Sequence, residues 1–67
     1  MIEFTKLNGN KILINPFQIE SVELIPESKI VMMNGKYYII REDKDTIIEM
    51  ITQYRKEVGG APIGETL

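Results

Sequence analysis

The sequence contains neither cysteine nor histidine among its 67 residues. The chain therefore has no disulfide, no thiolate nucleophile, no Cys/His zinc site and no imidazole for proton transfer. We expect a protein that is not an enzyme and that has no catalytic, cofactor-binding or metal-binding residues. Small secreted domains usually depend on disulfides, and the sequence does not begin with a basic segment followed by an apolar one. We therefore predict a cytoplasmic location.

Long apolar runs and a strong excess of one charge are also missing. Runs such as Ile30 to Met33 are far shorter than the roughly 20 residues that a membrane-spanning helix requires. The net charge is −2, and the eight basic residues are scattered from Lys6 to Lys56. Nucleic acid is a disfavoured partner, because phosphate binding needs clustered positive charge.

The composition is that of a folded protein, with 43% hydrophobic and 27% charged residues. We predict one domain over residues 1–58. Residues 59–67 contain Pro62 and Gly64 and show no periodicity, so we predict a flexible C-terminal tail there. A domain of this size buries a small core, so its stability should be modest unless a partner covers part of its surface.

Two Asn-Gly pairs, Asn8-Gly9 and Asn34-Gly35, lie between apolar and β-branched segments and predict two β-hairpins. In the first hairpin, a loop of residues 7–9 places alternate apolar residues of both strands on one face. These residues are Ile2, Phe4, Ile12 and Ile14. The second hairpin, residues 29–33 and 36–41, is apolar on both faces, and its pattern leaves the register open.

The other segments complete the predicted fold. Asn15-Pro16 can start one helical turn, a strand follows at residues 19–25, and Pro26 begins a turn. From Asp43, apolar residues recur at helical spacing until Gly59-Gly60, with Asp43 or Asp45 as the cap. We predict a mainly β (α+β) domain: a five-stranded antiparallel meander, partly rolled into a barrel, with one C-terminal helix.

The carboxylates do not predict a catalytic site, because helix capping and a solvent-facing strand explain them. Tyr37 and Tyr38 could offer a stacking surface to single-stranded RNA, although no basic groove accompanies them. A helix cannot cover both faces of the second hairpin. We therefore predict that apolar residues of this hairpin bind a partner or a second copy of the chain. The candidate residues are Val31, Met33, Tyr37 and Ile39.

An ordered set of motifs over residues 1 to about 57 resembles the FlbD/SwrD family of flagellar and swarming-motility proteins. The set comprises Met1 to Gly9, Ile14-Asn15-Pro16, Ile19-Glu20, Pro26, Asn34 to Ile40 and the acid-capped helix. The resemblance implies a small, non-enzymatic cytoplasmic protein that supports the flagellar motor, with motor or stator proteins as partners. Protein docking is the predicted function, and a small RNA-binding regulatory domain is the alternative.

Overall fold

The computed structural model describes residues 1–58, which form five strands, one 3-10 turn and one α-helix. The predicted tail, residues 59–67, lies outside the described residues. The strands are β1 (Ile2–Thr5), β2 (Lys11–Ile14), β3 (Ile19–Leu24), β4 (Ser28–Met32) and β5 (Tyr37–Ile40). The 3-10 turn spans Pro16–Gln18, and the helix α1 spans Lys44–Glu57. The structure is therefore mainly β with one C-terminal helix, as predicted.

The first hairpin has the predicted register, with Ile2 opposite Ile14 and Phe4 opposite Ile12. Its loop is closed by hydrogen bonds from the Lys6 amide to the Asn10 carbonyl (2.8 Å) and from the Gly9 amide to the Lys6 carbonyl (2.9 Å). Gly9 has a φ of 91°, a conformation that glycine adopts without strain.

The second hairpin repeats this loop. The Met32 amide donates to the Lys36 carbonyl (2.8 Å), and the Gly35 amide donates to the Met32 carbonyl (3.0 Å). In each loop the asparagine side chain accepts from the amide two residues on, at 2.9 Å. The loop settles the register that the sequence left open, with Val31 opposite Tyr37. It also ends β4 at Met32, so Met33 lies in the loop and not in a strand as predicted.

The strands form two sheets, so the prediction of one meander partly rolled into a barrel is wrong. Strands β1 and β2 pair with each other, strands β3, β4 and β5 form the second sheet, and no closed barrel is present within residues 1–58. The 3-10 turn separates β2 from β3, with the Asn15 side chain accepting from the Phe17 amide (3.0 Å). The sheets meet where Lys6 bridges Ile40 and the Arg41 amide donates to the Thr5 carbonyl (2.8 Å).

The core lies between the two sheets and the helix. Its buried residues are Ile2, Phe4, Ile14, Ile30, Ile40 and Ile47, and half-buried residues packed against them include Val22, Met32, Tyr38, Met50, Ile51 and Tyr54. The helix begins as predicted, because the Asp43 side chain accepts from the Thr46 amide (2.9 Å) and satisfies a free donor of the first turn.

Glu42 connects three elements at the start of the helix. Its carboxylate accepts from the Thr5 amide (3.0 and 3.1 Å) and from the Thr5 hydroxyl (2.9 Å), while its carbonyl accepts from the buried Ser28 hydroxyl (2.6 Å). Partial burial raises the pKa of Glu42, but the hydrogen bonds from Thr5 and the charge of Lys11 outweigh it. The pKa therefore lies below its ordinary value.

Because the folded protein lowers the pKa of Glu42, its ionised form stabilises the fold. This contribution is complete above the ordinary pKa of 4.5 and is lost as the pH falls through the lower pKa of the folded state. We expect Glu42→Gln to be less stable than wild type at pH 7 and to lose less stability on acidification. Urea unfolding midpoints across this pH range measure both effects. Equal pH dependence in the two proteins would contradict this role of Glu42.

Candidate docking surface

The sheet of β3, β4 and β5 has one face in the core and one face away from it. Ile30, Tyr38 and Ile40 point into the core, so their strand neighbours point outward. Cross-strand pairing aligns two rows on this outward side, Ser21–Val31–Tyr37 and Glu23–Lys29–Ile39. We name these six residues the outer face.

Three of the four predicted partner-binding residues lie together on the outer face. The Tyr37 side chain is 58% exposed, whereas Val31 and Ile39 are half-buried, and none of the three belongs to the core cluster. The fourth, Met33, is 62% exposed and lies in the adjoining hairpin loop. The structure thus brings Val31, Tyr37 and Ile39 into one surface and places Met33 beside it in the chain.

A charged pair that the sequence analysis did not select completes the outer face. The Lys29 Nζ lies 4.4 Å from the centroid of the Tyr37 ring, in a cation–π contact, and 3.8 Å from the Glu23 Oε1. The Lys29 side chain is only 27% exposed. The register of the hairpin would have revealed Lys29, since it aligns Lys29 with Ile39, whereas Glu23 follows from the pairing of β3 with β4.

The described residues offer few side chains for catalysis or metal binding. Within residues 1–58, no three side chains of the acidic type cluster closely enough to hold a metal ion. The carboxylates at the start of the helix, Glu42 and Asp43, are engaged in hydrogen bonds to the backbone. None of the helices in the described part of the chain has the length and apolar character needed to cross a membrane.

The fold and the outer face define a small α+β domain whose larger sheet has apolar residues outside the core, Tyr37 among them exposed. Residues 1–59 match the family model FlbD, described as flagellar and swarming motility proteins, so the chain belongs to the FlbD family. The resemblance found in the sequence motifs is confirmed. This membership relates the chain to flagellar and swarming motility. Searches of curated proteins and of solved structures found no match to the chain.

The adjacent residues Tyr37 and Tyr38 provide a test of the two faces, because only Tyr38 packs against the core. We expect Tyr38→Ala to lower the free energy of unfolding by about 3 kcal/mol, as large-to-small changes in cores do. The same change at Tyr37 removes an exposed ring and one cation–π contact, so we expect a loss of about 1 kcal/mol or less. Urea unfolding of both variants measures the difference. Equal losses would place Tyr37 in the core.

Proposed function

We propose that this protein acts in flagellar motility without catalysing a reaction, by binding a protein of the flagellar motor or its stator through the outer face. The observation that carries the proposal is the exposed Tyr37, with the half-buried Val31 and Ile39 beside it, on a sheet whose other face is packed. The chain contributes no element within residues 1–58 that covers Tyr37. Family membership supports motility as the setting.

The outer face has the composition of a small binding centre. Tyrosine is enriched among interface residues that dominate affinity, because its ring buries a large area at a low cost in side-chain entropy. The contact with Lys29 holds the Tyr37 ring in place before binding, which lowers that cost further. Val31 and Ile39 supply apolar area on either side, and the ion pair of Glu23 with Lys29 gives the face a polar margin.

The proposal that the protein is not an enzyme rests on the side chains that the chain has available. Cysteine and histidine are absent from the sequence, and they are the most common nucleophile and proton-transfer groups near neutral pH. The acidic residues with lowered pKa values, Glu42 and Asp43, are bound to Thr5 and Thr46. The lack of cysteine also supports a cytoplasmic setting.

Two substitutions on the outer face test the docking proposal. We expect Tyr37→Ala and Ile39→Ser each to abolish capture of a motor or stator protein and to reduce swarming, while the circular dichroism spectrum stays unchanged. Leu13→Ser is the matched control, since Leu13 is 60% exposed on the other sheet. Capture by the outer-face variants at the wild-type level would overturn the proposal. Loss of capture in all three variants would show that the effect is not specific to this face.

The alternative, a small RNA-binding regulatory domain, makes a different prediction. Phosphate contacts release counterions, so RNA affinity should fall steeply as salt is added. The net charge of the chain is −2, and Lys29 of the outer face already pairs with Glu23. We therefore expect no RNA binding in a filter assay even at low salt. Salt-sensitive binding that is lost in Tyr37→Ala would favour the alternative over protein docking.

A further inference from the structure

A second surface lies on the opposite side of the larger sheet from the outer face. Ile47 of the helix lies in the core cluster with Ile30 and Ile40 of that sheet, and a groove runs between the helix and the start of β1. Its apolar lining consists of Met1, Ile2, Met50 and Tyr54. We name it the helix groove. The sequence pattern did not reveal it, because its two sides are separated by more than 40 residues.

The polar margin of the helix groove is acidic. Glu49, Gln53 and Glu57 line it at intervals of four residues, so they share one face of α1 over about 12 Å. The Gln53 amide donates to the Glu57 carboxylate (3.3 Å), which leaves carboxylate oxygens available along the margin. The amine of Met1 is the positive group in the groove, and it donates to the Tyr54 hydroxyl (2.9 Å). The groove is therefore lined by two carboxylates and one amine, which favours a basic ligand.

An exposed aromatic ring extends this surface. The Phe17 ring lies edge-on to the Tyr54 ring, with centroids 5.9 Å apart and an interplanar angle of 63°. Phe17 is 54% exposed although it is a large apolar residue. Aromatic rings attract lysine and arginine side chains through cation–π contacts, as Lys29 and Tyr37 show elsewhere in this protein. The aromatic pair and the carboxylates therefore favour the same kind of ligand.

We propose that the helix groove binds a basic amphipathic helix of a protein partner. Its apolar residues at positions i, i+3, i+4 and i+7 would contact Met50 and Tyr54, and its lysines or arginines would pair with Glu49 and Glu57. Methionine suits such a groove, since its flexible side chain adapts to different apolar residues. The groove shares no residue with the outer face, so its binding does not depend on the docking function proposed above.

Methionine methyl groups report on the groove directly. The chain has four methionines: Met1 and Met50 in the groove, Met32 packed against the core and Met33 in the loop near the outer face. A synthetic Leu/Lys peptide of about 15 residues with helical leucine spacing is the probe. In NMR spectra of the full chain labelled on methionine methyls, we expect this peptide to shift the signals of Met1 and Met50 and not those of Met32 and Met33.

The control peptide replaces every lysine with glutamate, and we expect it to shift no signal. Absence of shifts with the Leu/Lys peptide would overturn the proposal, as would equal shifts with the Leu/Glu peptide. A shift confined to Met33 would also overturn it, since Met33 does not line the groove.

Charge reversal distinguishes the effect of the two groove carboxylates on peptide binding from the effect of the protein's net charge. We expect the double variant E49K/E57K to bind the Leu/Lys peptide at least about tenfold more weakly than wild type, measured by fluorescence anisotropy. The matched control is E20K/E27K, which changes the net charge equally at exposed residues outside the groove. We expect its affinity to stay within about threefold of wild type, because distant exposed charges are screened. Equal weakening in both double variants would overturn the groove as the binding site.

Tyr37→Ala distinguishes the two surfaces. We expect this variant to bind the Leu/Lys peptide with wild-type affinity, since Tyr37 lies on the far side of the sheet. Weakened peptide binding in Tyr37→Ala would overturn the assignment to the groove. Failure of the motor-protein capture assay with unchanged peptide binding would overturn the outer face and leave the helix groove intact.

Discussion

The alternation of side chains along β4 and β5 is the constraint on which the molecule depends. Ile30 and Ile40 must face inward to complete a core that contains Phe4 and Ile47. Successive residues of a strand point to opposite faces, so this packing turns Val31, Tyr37 and Ile39 outward. With one helix and one small sheet to cover a single face, the three apolar residues on the other face stay outside the core. The pattern that stabilises the fold thus also produces the outer face.

Much of the fold was predictable because its signals are local. The Asn-Gly pairs, the Asn15-Pro16 turn and the Asp43 cap each depend on neighbouring residues, and the structure has all of them. The register of the second hairpin could also have been predicted, since its loop has the same hydrogen bonds as the loop of the first hairpin. Apolar residues on both faces obscured it, because either register would have buried an apolar row.

The arrangement of the sheets was not predictable from local signals. A meander assumes that consecutive strands pair, whereas the 3-10 turn after Asn15 separates β2 from β3 and brings β1 beside β5. The same limit applies to the outer face and the helix groove. Val31, Tyr37 and Ile39 were found because they are close in sequence, whereas Lys29 and Glu23 required the strand pairing. The helix groove required knowing where β1 lies against α1.

Glu42 has a consequence for how a displacement of one element would be transmitted to the others. Its carboxylate binds β1, its carbonyl binds the first residue of β4, and the next residue caps the helix. A displacement of the helix start therefore pulls on both sheets at once. The helix and the two sheets are therefore held to one another by hydrogen bonds of this one residue as well as by the packed interior.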